Sequence, residues 1–238
     1  MSDLRRALLC LAIVDVALGF LLTTQIVFGA ALTGGQKLFA AVAMVGYLGG
    51  AALLVSGALA IAVRGERSRR VVRWIGPVLF TALLALLFLD VQVYVTFRFH
   101  FNGIVLRTLS APGGFASLKI PAGDLIGLFL ATVALFAVQW KLLRVFESRI
   151  APRVSSLRWV HAAAVVAVFA VADRVVYAAA DLQRDYRIPR AARVVPGYQK
   201  FTVRRPASTY FGWQAGANEN LGRRLAAVEL RPPQPAAA

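Results

Sequence analysis

A basic segment between positions 184 and 205 has the composition of a phosphate-binding segment. Arginine recurs every three residues from 184 to 193, and two adjacent arginines follow a Pro196-Gly197 turn. Guanidinium groups bind phosphate oxygens in a bidentate manner, and at a membrane surface each cation contributes about 1 kcal/mol toward anionic lipid. Composition leaves a second interpretation equally open, a solvated charged linker. If the segment binds lipid, the candidate residues are Arg190, Arg193, Lys200, Thr202, Arg204 and Arg205.

Four ionisable residues lie within apolar runs, where charges are costly and each is therefore a candidate site. One interpretation is a polar relay or a lipid-headgroup site. We favour interhelical pairing, with Arg174 neutralised by Asp173 or Asp90, because a proton or ion path needs several groups at one depth. The first of the four is expected to lie deeper than the others. The four residues are Asp15, Asp90, Asp173 and Arg174.

An alternation of aromatic and polar residues follows Asp90. The pattern is typical of an interfacial segment, with the aromatic side chains in lipid and the polar ones in water. Its histidine cannot form a metal site alone, since three or four ligands are needed. The sequence also lacks a Ser/His/Asp arrangement, a phosphate loop and paired carboxylates at catalytic spacing, so we predict no metal, no cofactor and no catalysis by this chain. The polar members are Arg98, His100 and Asn102.

The elements that must position these residues are apolar runs. The chain is 59% hydrophobic, with a mean hydropathy of +0.67, more than a soluble domain of 238 residues needs. Each run has about 20 residues or more, enough to cross about 30 Å of hydrocarbon. We therefore predict an all-α membrane protein with five transmembrane helices. The predicted spans are about 7–31, 38–63, 72–94, 122–143 and 159–180.

Lysine and arginine are concentrated before the first span and in the even-numbered loops. This distribution predicts that the N-terminus is inside and that the basic segment, after five spans, is outside. Trp74, Trp140 and Trp159 fall at the predicted inner boundary, as an aromatic belt requires. The net charge of +16 would suggest nucleic acid in a soluble protein; here it is explained by topology and contact with anionic lipid, and nucleic acid is not a predicted partner.

Three units are expected along the chain. Residues 1–180 form the transmembrane domain, 181–215 a basic juxtamembrane arm, and 216–238 a short helix and a proline-rich linker toward a domain that the sequence does not contain. Within the second span, Gly46 and Gly50 form a small-xxx-small pattern that favours close helix packing over a dimer interface.

Two stretches resemble the N-terminal membrane domain of the YejM/PbgA-type inner-membrane proteins, which belong to the sulfatase-like or alkaline-phosphatase-like superfamily. One runs from Asp90 to Leu106, with Phe-x-His around His100 and the run Asn-Gly-Ile-Val after it. The other runs from Val175 through Tyr198 to Arg205. The order and spacing of the five spans also fit, so the resemblance covers the chain to about residue 215.

The resemblance implies a multi-pass protein of the Gram-negative inner membrane whose five-helix domain precedes a periplasmic sulfatase-like domain. It implies that the adjacent Arg204 and Arg205, with Thr202 beside them, contact cardiolipin or the lipid A part of lipopolysaccharide. It further implies a role in lipopolysaccharide homeostasis through a membrane-anchored adaptor protein. Two alternatives stay open: the membrane anchor of a phosphoethanolamine or glycerol-phosphate transferase of the same superfamily, and, ranked last, a transporter. The nucleophile and metal-binding carboxylates of a sulfatase-like domain are not in this sequence.

Overall fold

The structure, a computed structural model, describes residues 3–111, 121–153, 157–200 and 202–212. The helices in these ranges include five that are long and apolar enough to cross a membrane, which confirms the prediction of an all-helical protein with five such spans. The predicted turn at 112–114 and the predicted helix and linker at 216–238 lie outside the described residues. The helices are α1 (Asp3–Gly29), α2 (Gly34–Ala62), α3 (Glu66–Phe97), α4 (Gly103–Ser110), α5 (Ala122–Val145), α6 (Leu157–Leu182), α7 (Arg187–Ala192) and α8 (Arg204–Phe211).

The long helices form because a chain in hydrocarbon must satisfy its backbone hydrogen bonds internally. Polar side chains cap the starts of α2 and α3. At the start of α2, Gln36 Oε1 accepts a hydrogen bond of 2.8 Å from the Thr33 backbone N–H. At the start of α3, Ser68 Oγ accepts one of 2.9 Å from the Gly65 N–H. Helix α5 continues through a π-helical turn at Phe146–Ile150 and a 3-10 turn at Ala151–Arg153.

Helix α2 lies between α1 and α6, and α3 lies between α1 and α5. Small residues determine the approach of α2 to α6. A Cβ on Gly46 would lie 3.1 Å from the backbone nitrogen of Ala170, and one on Gly49 would lie 2.6 Å from a Val166 methyl group. Gly50 has open space around it instead. The glycines therefore serve interhelical packing, and the pair in contact is spaced by three residues rather than four.

Two clusters of buried hydrophobic residues lie in the part of the bundle that the structure describes. We call residues 187–200 the arm, a narrower range than the predicted arm of 181–215. The end of the bundle that carries Asp3 is called the N-terminal end, and the end that carries the arm is called the arm end. At the N-terminal end the cluster includes Leu8, Phe80 and Leu143. At the arm end, helix residues pack together with residues of the arm, namely Ile26, Phe39, Met44, Val91, Tyr177, Ala191, Val194 and Val195.

Polar contacts close the N-terminal end. Arg5 Nη2 donates a hydrogen bond of 2.6 Å to the carbonyl oxygen of Val63, at the end of α2. Arg73 and Glu147 form an ion pair of 2.7 Å between α3 and the π-helical turn. The rings of Trp74 and Trp140 stack with their centroids 5.8 Å apart. Stacked tryptophans beside charged groups are typical of a helix bundle at a membrane boundary.

Candidate functional site

The arm begins where α6 ends. Arg184 has a left-handed backbone (φ 55°), and the Asp185 N–H donates a hydrogen bond of 2.9 Å to the Ala180 carbonyl oxygen. This geometry terminates α6 and turns the chain back over the bundle. Arg184 therefore does not share a helix with Arg187 and Arg190, although the three follow the same three-residue spacing. Within the arm, the helical residues are those of α7, from Arg187 to Ala192.

Apolar residues of the arm are buried against the bundle, and its cations face outward. Ala191 is 0% exposed and Val195 is 1% exposed, whereas Arg190 and Arg193 are exposed. Gln36 Nε2 also donates a hydrogen bond of 2.8 Å to the Arg187 carbonyl oxygen. A solvated linker would bury none of these residues, so the structure rules out that interpretation for residues 187–200.

A cluster of aromatic residues around Arg174 holds the end of the arm. Arg174 Nη1 donates a hydrogen bond of 2.5 Å to the Gln199 carbonyl oxygen, and Nη2 donates to the Tyr47 hydroxyl oxygen. The Gln199 N–H donates to the same hydroxyl oxygen at 2.9 Å. The guanidinium carbon lies 4.7 Å from the ring centroid of Tyr198, within the range of a cation–π interaction. One side chain of α6 thus joins α2 to the arm.

Asp173 is the ionic partner of Arg174. Arg174 Nε lies 3.7 Å from Asp173 Oδ2, and Asp173 is 1% exposed. Of the two pairings expected from the sequence, the structure contains the one with Asp173. Burial, and then the nearby Asp173 carboxylate, raise the pKa of Tyr198, so this hydroxyl stays neutral in the cluster.

Asp90 has a different partner, His100. His100 Nδ1 lies 2.6 Å from Asp90 Oδ2, and the Phe101 N–H donates a hydrogen bond of 2.5 Å to Asp90 Oδ1. The His100 ring also stacks on Tyr94, with the centroids 4.5 Å apart. The side chain of His100 is thus held against the end of α3 by Asp90 and Tyr94 and is only 15% exposed. Arg98, in a left-handed conformation at the end of α3, is exposed, as is Asn102.

Asp15 lies inside the bundle, and Gln139 donates a hydrogen bond from Nε2 to Asp15 Oδ1. The hydrogen bond joins α1 to α5, and both residues are buried: Asp15 is 6% exposed and Gln139 is 0% exposed. Sequence reasoning missed Gln139. The sequence did contain a signal for this residue, a single amide side chain in an otherwise apolar run. In lipid such an amide favours a polar partner on another helix.

The predicted lipid-binding residues all follow the arm-end cluster or lie on the outer side of the arm. Lys200 and Thr202 are exposed, and Arg204 is half-buried at the start of α8. Asp181 Oδ2 accepts hydrogen bonds of 2.9 Å from the backbone N–H groups of Val203 and Arg204, which fixes α8 to the end of α6. Arg205 is the next residue of that helix.

The charge balance of the arm is strongly positive. Among the described residues, one cation of the arm has a carboxylate partner: Arg187 Nε lies 3.1 Å from Asp185 Oδ1. The backbone and side chain of Arg187 lower the pKa of Asp185, which therefore stays charged. Within the described ranges, no carboxylate oxygen lies within 4.0 Å of Arg190, Arg193 or Lys200. These three cations are available to an external anion.

Helix α8 adds exposed aromatic surface beside the cations. Tyr210 is 78% exposed and Phe211 is 85% exposed. Tyr186, directly before α7, is 70% exposed. Aromatic side chains that are apolar at one end and polar at the other favour the membrane–water interface. The combination of exposed cations and exposed rings at one end of an apolar bundle suits a lipid headgroup region.

Sequence comparison supports one relationship. The family model for a domain of unknown function, DUF3413, matches residues 10–210. No curated protein is significantly similar to the chain. The matched range contains nearly all of the five long helices, the arm and most of α8. The chain therefore belongs to the DUF3413 family, as a multi-pass membrane domain.

Proposed function

We propose that this domain binds the headgroup of an anionic lipid at the arm end. The observation that carries the proposal is the arrangement of the arm. Its apolar side is buried in the bundle, and Arg190, Arg193 and Lys200 lie outside without a carboxylate partner among the described residues. Cations on a fixed support lose little conformational entropy when they bind phosphate, and arginine binds it in a bidentate manner.

The finer assignment rests on the resemblance to the YejM/PbgA-type proteins. On that basis the ligand is cardiolipin or the lipid A part of lipopolysaccharide, and the membrane is the inner membrane of a Gram-negative bacterium, with the arm in the periplasm. The domain would bind lipid rather than catalyse a reaction, and would take part in lipopolysaccharide homeostasis through a membrane-anchored adaptor protein. The charge distribution along the loops supports the same orientation.

The test compares two sets of arginine and lysine substitutions with the same change in charge. The first set replaces the arm cations: Arg190→Gln, Arg193→Gln and Lys200→Gln. The control set replaces exposed cations at the N-terminal end: Arg64→Gln, Arg67→Gln and Arg70→Gln. The full chain is placed in phosphatidylcholine nanodiscs with a small fraction of spin-labelled phosphatidylglycerol or phosphatidylcholine. The fraction of label immobilised by the protein gives the preference for the anionic lipid.

We expect the arm set to remove most of the preference for phosphatidylglycerol. At about 1 kcal/mol for each cation, the three together contribute about 3 kcal/mol, equivalent to about a hundredfold change in affinity. The control set should have a smaller effect, and added salt should weaken the preference, since salt screens exposed charges. An equal loss in both sets, or no loss in the arm set, would contradict the proposal.

A second comparison tests the part implied by resemblance. Arg204→Ala with Arg205→Ala should weaken binding of cardiolipin and lipid A while the protein keeps its thermal stability. Asp181→Asn serves as a control because it perturbs the start of α8 without removing a cation. If the double substitution leaves both lipids bound as in the wild type, Arg204 and Arg205 are not the headgroup site.

A further inference from the structure

A cavity of about 400 Å³ lies between α1, α2 and α3 and continues beneath the arm. Its walls are almost entirely apolar. Gly19 of α1, Leu48 of α2 and Leu87 of α3 form the middle of the wall. At the arm end the lining changes to Tyr47, Asp90, Phe101, Pro196 and Gly197.

The depth of the cavity corresponds to one leaflet. Helix α3 lines it from Phe80 to Asp90, and ten residues at about 1.5 Å per residue cover about 15 Å, half of a hydrocarbon core of about 30 Å. The inner end is closed by Phe80 and Ala52, which belong to the cluster at the N-terminal end. Asp15 also lies at the inner end, where Gln139 binds one of its oxygens. The cavity therefore extends from the arm end to mid-membrane and stops there.

Cations flank the cavity at its arm end. The lining residues Pro196 and Gly197 lie in the chain between Arg193 and Lys200, both exposed and without a carboxylate partner in the part of the chain that the structure describes. The cavity is partly open at its side, where the lining residue Leu86 is 61% exposed. An apolar cavity of leaflet depth beneath a cationic surface matches a molecule with an anionic headgroup and a long hydrocarbon chain. A soluble anion would use the cations but not the cavity.

We propose that one acyl chain of the anionic lipid bound by the arm lies in this cavity. The inference rests on the proposed function and adds the position of the chain. Transfer of a chain from bilayer to cavity brings no hydrophobic gain, because lipid tails are as apolar as leucine. The cavity walls therefore do not select one lipid over another, and preferential occupancy by the anionic lipid depends on the headgroup bound at the arm.

A second cavity provides an internal comparison. It lies between α1, α3 and α5, has a volume of about 550 Å³, and is lined by Leu22, Gln25, Phe88 and Leu128 among others. No residue of the arm lines it. Chains of neutral and anionic lipids should enter it equally.

The experiment locates the chain by photo-cross-linking. The full protein is placed in phosphatidylcholine nanodiscs with a small fraction of probe lipid that carries a diazirine on one acyl chain. The probe is phosphatidylglycerol in one sample and phosphatidylcholine in the other, and labelled residues are mapped by peptide mass spectrometry. We expect phosphatidylglycerol to label Leu48, Leu83 and Leu87 far more than phosphatidylcholine does, and both probes to label Leu128 equally.

Filling the cavity gives the matched variants. Leu48→Trp should reduce labelling of Leu87 by the phosphatidylglycerol probe about tenfold, equivalent to about 1.4 kcal/mol. Leu54→Trp, on the same helix but 73% exposed and outside the cavity, should leave the labelling unchanged. If Leu48→Trp does not fold, Leu87→Phe replaces it, with Leu48 as the labelled residue.

Each outcome decides one question. If both probes label Leu48 and Leu87 no more than they label Val91, which is 0% exposed and outside the cavity, the cavity holds no lipid chain and the inference is overturned. Equal labelling of the cavity by both probes also overturns it, because the chain then enters without the anionic headgroup. The proposed function is tested separately, and it fails if the arm substitutions leave the preference for phosphatidylglycerol unchanged. If the arm still selects phosphatidylglycerol but the cavity is empty, the proposed function stands and only the inferred position of the acyl chain is wrong.

Discussion

The Arg174 guanidinium carbon lies 4.7 Å from the centroid of the Tyr198 ring, and this contact fixes the end of the arm to the membrane bundle. Arg174 belongs to α6, Tyr198 to the arm, and the Tyr47 hydroxyl of α2 accepts hydrogen bonds from both Arg174 and Gln199. A charge that would be costly in hydrocarbon is thus used to position a surface segment. The orientation of the arm cations depends on this junction.

Arg174→Lys should release the end of the arm. A lysine ammonium is a compact charge that cannot reproduce the planar fork joining the Gln199 carbonyl and the Tyr47 hydroxyl. We expect the amide of Gln199 to exchange faster with deuterium, with local stability lower by about 1–3 kcal/mol. Arg190→Lys is the matched control, since Arg190 is exposed. Equal protection in the two variants would show that the junction contributes nothing to the arm.

Gly46→Ala should destabilise the bundle, whereas Gly50→Ala should not. Both changes bring the same gain in helix propensity, so the difference reports packing alone. A Cβ on Gly46 would lie 3.1 Å from backbone that cannot rotate away, and one on Gly50 would meet nothing within 4 Å. Overpacking of this kind costs about 1–3 kcal/mol. Thermal unfolding in detergent measures the difference, and identical melting temperatures would contradict it.

Asp90→Ala should loosen the segment after α3. The change leaves the Phe101 N–H and His100 Nδ1 without the carboxylate that now binds both, at a cost of about 1–3 kcal/mol for an unsatisfied buried group. The expected result is faster deuterium exchange at Phe101. Asp124→Ala, at an exposed position in the first turn of α5, controls for the loss of an acid. Unchanged exchange at Phe101 in the Asp90 variant would exclude this role for Asp90.

The five spans could be predicted from the sequence because the bilayer imposes a length and a composition on each helix separately. The arm could not be predicted in this way. The contact of Gln199 with Tyr47 joins residues 152 positions apart, and that of Gln36 with Arg187 joins residues 151 apart. The three-residue spacing of the arginines contains no signal for the left-handed turn at Arg184, which depends on the preceding helix end.

The partners of the intramembrane polar residues could likewise be predicted only in part. Charged groups in lipid are unfavourable in free energy, so the sequence predicted that Asp90, Asp173 and Arg174 have partners. For Arg174 the sequence offered Asp173, its neighbour in the chain. His100 as the partner of Asp90 depends on the left-handed conformation of Arg98, which turns the chain back toward α3. Alternation of aromatic and polar residues predicted an interfacial segment and contained no signal for this reversal of the chain.

Gln139→Leu should destabilise the protein more than the double substitution Asp15→Leu with Gln139→Leu. The single change leaves the buried Asp15 carboxyl group without its donor, and the double change replaces both polar groups with apolar ones. Interhelical hydrogen bonds in membranes contribute about 0.6 kcal/mol on average and about 1.7 at most, so the single variant should lose stability in that range. Replacing a complete buried polar pair is often neutral or stabilising.

The coupling energy between Asp15 and Gln139, measured by a double-mutant cycle of unfolding in mixed micelles, checks this prediction. As a control cycle, Thr132→Val with Gln139→Leu should show no coupling, since the Thr132 hydroxyl donates to the Leu128 carbonyl within its own helix. A coupling energy near zero for Asp15 and Gln139 would show that α1 and α5 are held together by packing alone. A clear coupling would instead show that this hydrogen bond joins α5 to α1 at the inner end of the cavity, which Asp15 lines.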